Sequence, residues 1–188
     1  YVQTFVAEAI RLALDEGHAR PRFVVLSSDH GENFGDHGRD PHARTLYREV
    51  IHVPLVVFGA GLEGRRVREP VALGDLFPTF LNLAGVPTPP SSTMESLVPV
   101  LLGGRPAPDR AVFQENSWSR PTHHVKAMVL GRHHLIRDLT DDTTELYDML
   151  ADPRERVNRF DDGIPNQADL VRRLEAFIET TNIPEAYR

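Results

Sequence analysis

Apolar positions set the first element. Val2, Phe5, Val6, Ala9, Ile10, Leu12 and Ala13 recur at spacings of three and four, the stripe of an amphipathic helix over residues 2–16, which Gly17 and Pro21 end. The apolar run Phe23 to Leu26 then predicts a buried parallel strand. Residues 31–44, rich in Gly, Asp, His and Arg, form a polar loop too long for a simple connection. Tyr47 to Ile51 returns the chain to a second buried strand, Val53 to Phe58, with Pro54 near its start, where a missing N–H is tolerated.

Further along, Gly59-Ala60-Gly61 turns the chain. Asp75 to Leu83 predicts a helix with Pro78 in its first turn and Gly85 closing it. Pro87 to Ser92 is a surface linker, and Val98 to Leu102 a short helix. From residue 111 the pattern changes to short alternating segments: Ala111 to Glu115, Val125 to Leu130, His133 to Arg137 and Glu145 to Tyr147. Gly131-Arg132 marks a hairpin turn. These segments predict a small antiparallel sheet, closed by a helix from about Gln167 to Thr180 with Leu170, Leu174, Phe177 and Ile178 inward.

Composition narrows the class. At 188 residues, 40% hydrophobic and 26% charged, the chain reads as an ordinary globular protein. A formal charge of -6 and arginines spread along the sequence argue against a nucleic-acid partner, which calls for a basic face. No apolar run reaches transmembrane length, and Tyr1 opens the chain without a charged-then-apolar leader. Because Tyr1 is not an initiator Met, the chain reads as truncated, and its localisation stays open. The absence of cysteine excludes disulfides and leaves the redox compartment open too.

The chemistry concentrates where the first strand ends. Val24 to Ser28 leads into Asp29-His30-Gly31-Glu32. Side chains at the carboxyl end of a parallel α/β strand face the ligand crevice, and a carboxylate with an imidazole can hold a divalent cation. The pair is half of a metal site, and its two side chains are expected to converge.

The order of motifs that follows carries a family resemblance. After Asp29-His30-Gly31-Glu32 come Gly35-Asp36-His37-Gly38, His42, Thr45-Leu46-Tyr47 and Val53-Pro54-Leu55-Val56. Asp75-Leu76-Phe77-Pro78-Thr79 with Leu83-Ala84-Gly85-Val86, then Ser96-Leu97 with Leu101-Leu102-Gly103-Gly104, then Glu145-Leu146-Tyr147-Asp148 with Asp152-Pro153 and Glu155 continue it. In this colinear order the chain resembles the C-terminal half of sulfatases in the alkaline phosphatase superfamily. The resemblance spans nearly the whole sequence.

What it implies is an α/β fold: the C-terminal part of an alkaline-phosphatase-like sheet with flanking helices, followed by a small antiparallel sheet plus helix. Residues 1–108 would be the truncated catalytic domain and residues 109–188 a small α+β subdomain. The implied activity is metal-dependent hydrolysis of a sulfuric ester. Asp29 and His30 would bind one divalent ion, with Ca, Mn, Mg and Zn not distinguished, His42 would contact the transferred group, and His37 would touch substrate. Glu32 would orient the loop. His42-Ala43 stands where the family has His-Gly.

The resemblance also implies a formylglycine, Ser or Thr nucleophile beside two acidic ligands upstream, in a missing N-terminal half. No such acidic pair and no Cys-x-Pro-x-Arg occurs here, so the isolated chain is expected to be nearly inactive and to bind metal weakly. The alternatives are phosphate or phosphonate ester hydrolysis or phosphoethanolamine transfer within the same superfamily, or a non-catalytic binding module. The partner in the enzymatic readings is a small sulfate or phosphate ester. His123-His124 and His133-His134 read as half-exposed sheet residues, since adjacent strand side chains face opposite sides. Trp118 and Arg120 are rim candidates for a substrate cleft.

Overall fold

The computed structural model describes residues 2–14, 22–38, 45–59, 61–119 and 122–181. Helix α1 spans Val2–Leu14. Its apolar stripe is only partly used, for Phe5 is 74% exposed and Leu12 also faces solvent. Strand β1, Phe23–Ser27, follows, then a single 3-10 turn at Asp36–Gly38, the short helix α2 at Arg48–Ile51, and strand β2 at Leu55–Gly59.

β1 and β2 pair with each other, antiparallel, in the register Phe23 with Gly59 to Ser27 with Leu55. The expectation of buried parallel strands is therefore corrected. A parallel partner needs a crossover that carries the chain back to the start of β1. Here the return ends where β1 ends: the Gly31 N–H donates to the Val50 carbonyl at 2.7 Å, and the Ser27 hydroxyl donates to the Pro54 carbonyl at 2.8 Å. β2 can then only run backwards along β1. Both strands are half-buried rather than buried, and Val56 is exposed.

Helix α3, Leu76–Leu83, begins on a 3-10 turn at Leu73–Asp75, and α4 occupies Val98–Leu101. Asp75 is the buried hub between them. Its carboxylate accepts N–H groups from Ala72 at 2.8 Å and Glu95 at 3.1 Å, and both of its oxygens lie 2.7 Å from Arg110 Nη2. Thr79 adds a second tie, its hydroxyl donating to the Asp75 carbonyl and accepting the Leu97 N–H.

The second sheet is the meander expected from the alternating segments: β3 Ala111–Ser119, β4 Thr122–Leu130, β5 His133–Asp138 and β6 Thr143–Asp148, each antiparallel to the next. Helix α5, Gln167–Thr181, closes one face, where Met128, Leu135 and Leu146 meet Leu170 and Leu174. Each such fully buried apolar side chain is worth about 1.5–3 kcal/mol. The other face carries Val125, Ala127, Ile136 and Tyr147 and packs against Leu46 and Tyr47 from the segment that follows the polar loop. The sheet thus touches the loop side of the molecule directly. Among the described residues no helix is long and apolar enough to cross a membrane.

Candidate functional site

At the end of β1 the chain turns sharply, and local hydrogen bonds set the turn. Asp29 Oδ1 accepts the His30 N–H at 3.0 Å, and the Ser28 hydroxyl donates to the His30 carbonyl at 2.8 Å. His30 Nδ1 lies 2.7 Å from the Gly31 carbonyl. A carbonyl only accepts, so Nδ1 carries the proton and Nε2 offers the lone pair in the neutral ring. Nε2 stands 3.7 Å from Asp29 Oδ2. The two side chains converge, as the motif predicts. Asp29 is 85% exposed at its side chain, and its carboxyl is held below the usual range by the His30 N–H first and the His30 ring second. An ionised carboxylate and an oriented imidazole are a donor set that fits two corners of a divalent-metal site.

The glycine of the motif has a packing reason. A Cβ on Gly31 would lie 2.0 Å from the Glu49 carbonyl oxygen, so only hydrogen fits where the loop crosses α2. Glu32 Oε1 accepts the Asn33 N–H at 3.0 Å. Asn33 was not anticipated: it is buried, and neither atom of its side-chain amide has a hydrogen-bond partner among the described residues.

His37 is clamped on three sides. Its Nδ1 donates to Glu49 Oε1 at 2.8 Å, its Nε2 donates to the Glu155 carbonyl at 2.9 Å, and its ring stacks on Tyr47 with centroids 3.8 Å apart. Burial works against a charge on this ring, but the Glu155 carbonyl and the Glu49 carboxylate outweigh it and raise its pKa above the ordinary value. The residue occupies left-handed backbone at φ 56°, a conformation sustained by these bonds.

Glu155, noted in sequence only as part of a motif, is the point where the two halves meet. It is fully buried at φ 53°. Oε1 lies 2.7 Å from His134 Nδ1, Oε2 accepts the Arg48 N–H at 2.8 Å, and the carbonyl holds His37. The sequence signal was available in the spacing Asp152-Pro153-x-Glu155, but a lone Glu beyond a strand does not announce a buried role.

The remaining expected residues divide into two groups. His42, Ala43 and Arg120 lie outside the described residues, as does the side chain of Trp118. The His pairs lie at opposite ends of the β4–β5 hairpin: Leu130 pairs with His133 and Val129 with His134, whereas His123 is at the far end of β4, two positions before the Val125–Asp138 pair. They do not meet.

Residues 35–183 match the family described as N-sulphoglucosamine sulphohydrolase, C-terminal. The chain belongs to the sulfatase family. This sulfatase chain is 40% identical over 78 residues to human arylsulfatase K, covering 41% of itself and 14% of that protein. It is 30% identical over 149 residues to the Delta 4,5-hexuronate-2-O-sulfatase of Bacteroides thetaiotaomicron, covering 74% of itself and 30% of that protein. It therefore spans less than a third of the length of these relatives and corresponds to their C-terminal part. Its fold is shared with the solved phosphonate monoester hydrolase of Silicibacter pomeroyi, at TM-score 0.67 and 26% identity over 84% of this chain and 34% of that one. The family match begins after Asp29 and His30, so a reading of these two residues as metal donors in this sulfatase chain rests on the β1 geometry and not on that match.

Proposed function

We propose that the whole protein is a metal-dependent sulfuric ester hydrolase and that this chain supplies part of its metal site. The observation that carries the reading is the convergence of Asp29 Oδ2 and His30 Nε2 at 3.7 Å at the end of β1, with His30 held in the ligating tautomer by the Gly31 carbonyl. A divalent ion held there supplies positive charge against a sulfuryl oxygen and lowers the pKa of a nearby nucleophile. Asp29 contributes the anionic oxygen and His30 the neutral nitrogen. Gly31 lets the loop approach α2, and the His37 clamp fixes the strand-to-loop geometry on which both ligands depend.

In this reading His42 contacts the transferred group. For His37 a substrate contact would require one of its bonds to Glu49 or Glu155 to open, and fixation of the loop is the role those bonds support. The nucleophile, read as formylglycine, and further acidic ligands come from an N-terminal half that packs on this chain. Phe34 at 88% and Phe77 at 56% exposure offer apolar surface for it. Residues 1–108 form part of the catalytic domain and residues 109–188 a subdomain that braces it through Asp75–Arg110 and Arg48–Glu155.

The runner-up is phosphate or phosphonate ester hydrolysis, favoured by the likeness to the phosphonate monoester hydrolase. The two are separated on the full-length protein with sulfate, phosphate and phosphonate esters of one phenol. Faster turnover of the sulfate ester, lost together with bound metal in Asp29→Ala, is expected. Preference for the phosphonate would move the assignment to the runner-up, and full metal content in both Asp29→Ala and His30→Ala would overturn the site.

A further inference from the structure

His123 is 8% exposed, yet neither of its ring nitrogens has a hydrogen-bond partner among the described residues. A buried imidazole with both nitrogens unsatisfied calls for an explanation. Nε2 lies 3.1 Å from Asp138 Oδ2, close enough for charge to be felt but without hydrogen-bond alignment. Asp138 is itself fixed, since its other oxygen accepts the N–H groups of Thr140 at 2.9 Å and Asp141 at 3.0 Å. Asp141 brings a second, exposed carboxylate, and one ligand atom from each of the three residues falls within 4.8 Å of the others.

Strand geometry makes this meeting. Val125 pairs with Asp138, and alternation puts His123, Val125 and Asp138 on one face of the sheet. His123 therefore overhangs the β5–β6 turn that carries Asp141. The face is the one that packs against Leu46 and Tyr47, and Asp138 lines a cleft there with Thr45, Tyr47 and Glu145.

We propose that His123, Asp138 and Asp141 form a second metal site, for a first-row transition ion with Zn2+ as the leading candidate, independent of Asp29 and His30. One imidazole nitrogen with two carboxylate oxygens suits zinc, whereas calcium asks for six to eight oxygens. In a tetrahedral site with bonds of about 2.0–2.1 Å, neighbouring donors stand roughly 3.3 Å apart. The His123–Asp138 pair at 3.1 Å has that spacing already, and the exposed Asp141 needs only to turn inward. Three protein donors leave one corner open toward solvent or a small ligand. The ion would clip the start of β4 to the β5–β6 turn.

The test uses the full-length protein carrying Asp29→Ala and His30→Ala, stripped with chelator and titrated with ZnCl2 by calorimetry. One equivalent should bind and raise the unfolding temperature, because an ion bound only by the native state stabilises it. Adding Asp141→Ala, an exposed position that leaves the fold alone, should weaken that binding about ten-fold or more, and His123→Gln should do the same. Absence of zinc binding in the double variant, or binding unmoved by Asp141→Ala and His123→Gln, would overturn the site. Neither result bears on the Asp29–His30 reading, which is scored by the bound metal that Asp29→Ala and His30→Ala each lose relative to the wild type.

Discussion

Glu155 holds His134 at 2.7 Å, carboxylate to Nδ1, with both side chains wholly withdrawn from solvent. Its second oxygen holds the Arg48 N–H, so one carboxylate joins β5 to α2. Removing it leaves a buried imidazole and a buried amide without an acceptor. Glu155→Ala should cost about 3–5 kcal/mol, read as a lower urea midpoint at unchanged slope. A loss under about 1 kcal/mol would mean that water replaces the carboxylate freely.

Gly31→Ala forces a methyl group into the Glu49 carbonyl, 2.0 Å away. Backbone cannot yield as a flexible side chain would, so the loop should shift at a cost of about 1–3 kcal/mol. Metal content of the full-length protein should fall with it, because Asp29 and His30 immediately precede the displaced residue. Wild-type metal content in the variant would separate loop position from ligation.

His37 predicts a pH dependence whose sign follows from its partners. Its folded pKa is raised above the ordinary value near 6.5. The stabilisation is fully present below the unfolded pKa and is lost as pH rises through the folded one. Unfolding midpoints should therefore decline across that window in the wild type and decline less in His37→Gln. Superimposable pH profiles for the two proteins would show that the ring carries no net charge in the fold.

The buried Asp75–Arg110 pair ties α3 to the strand that opens the meander. Among the described residues, Arg110→Ala leaves the Asp75 carboxylate with the Ala72 and Glu95 N–H groups, and should destabilise by about 3–5 kcal/mol. Arg110→Lys should recover part of that loss. Equal unfolding midpoints for Arg110→Ala and the wild type would rule the pair out as a support.

Catalysis by the full-length protein gives a fifth expectation. His42→Ala should lower kcat and kcat/KM together by roughly 10² to 10³ while metal content stays constant, the pattern of a donor that acts only in the transition state. Lost metal would make His42 a ligand instead.

The meander and helix α5 were legible in the sequence because alternation and helical spacing each report one buried face, as Met128, Leu135 and Leu174 illustrate. The Asp29–His30 convergence was legible because it is local, set within three residues. Strand direction was not. Whether Leu55–Gly59 runs with or against Phe23–Ser27 depends on where residues 31–50 return, and that is decided by the Gly31–Val50 bond rather than by periodicity. The burial of Glu155, His123 and Asp138 was not legible for a related reason: their partners are distant in sequence, and His123, read as half-exposed from strand alternation, is buried once its neighbours are in place.

The His37 clamp also has a consequence for how the protein is made. His37 precedes its acceptor at Glu155 by 118 residues, and Arg48 precedes the same residue by 107. A ribosome adding about 5–20 residues per second needs roughly 5 to 25 seconds to cover that stretch. During this interval the loop beside Asp29 and His30 lacks its fastening. The Asp29–His30 turn is thus fastened from a point far along the chain, and a product that ends before Glu155 would carry both residues without the grip that sets the neighbouring loop.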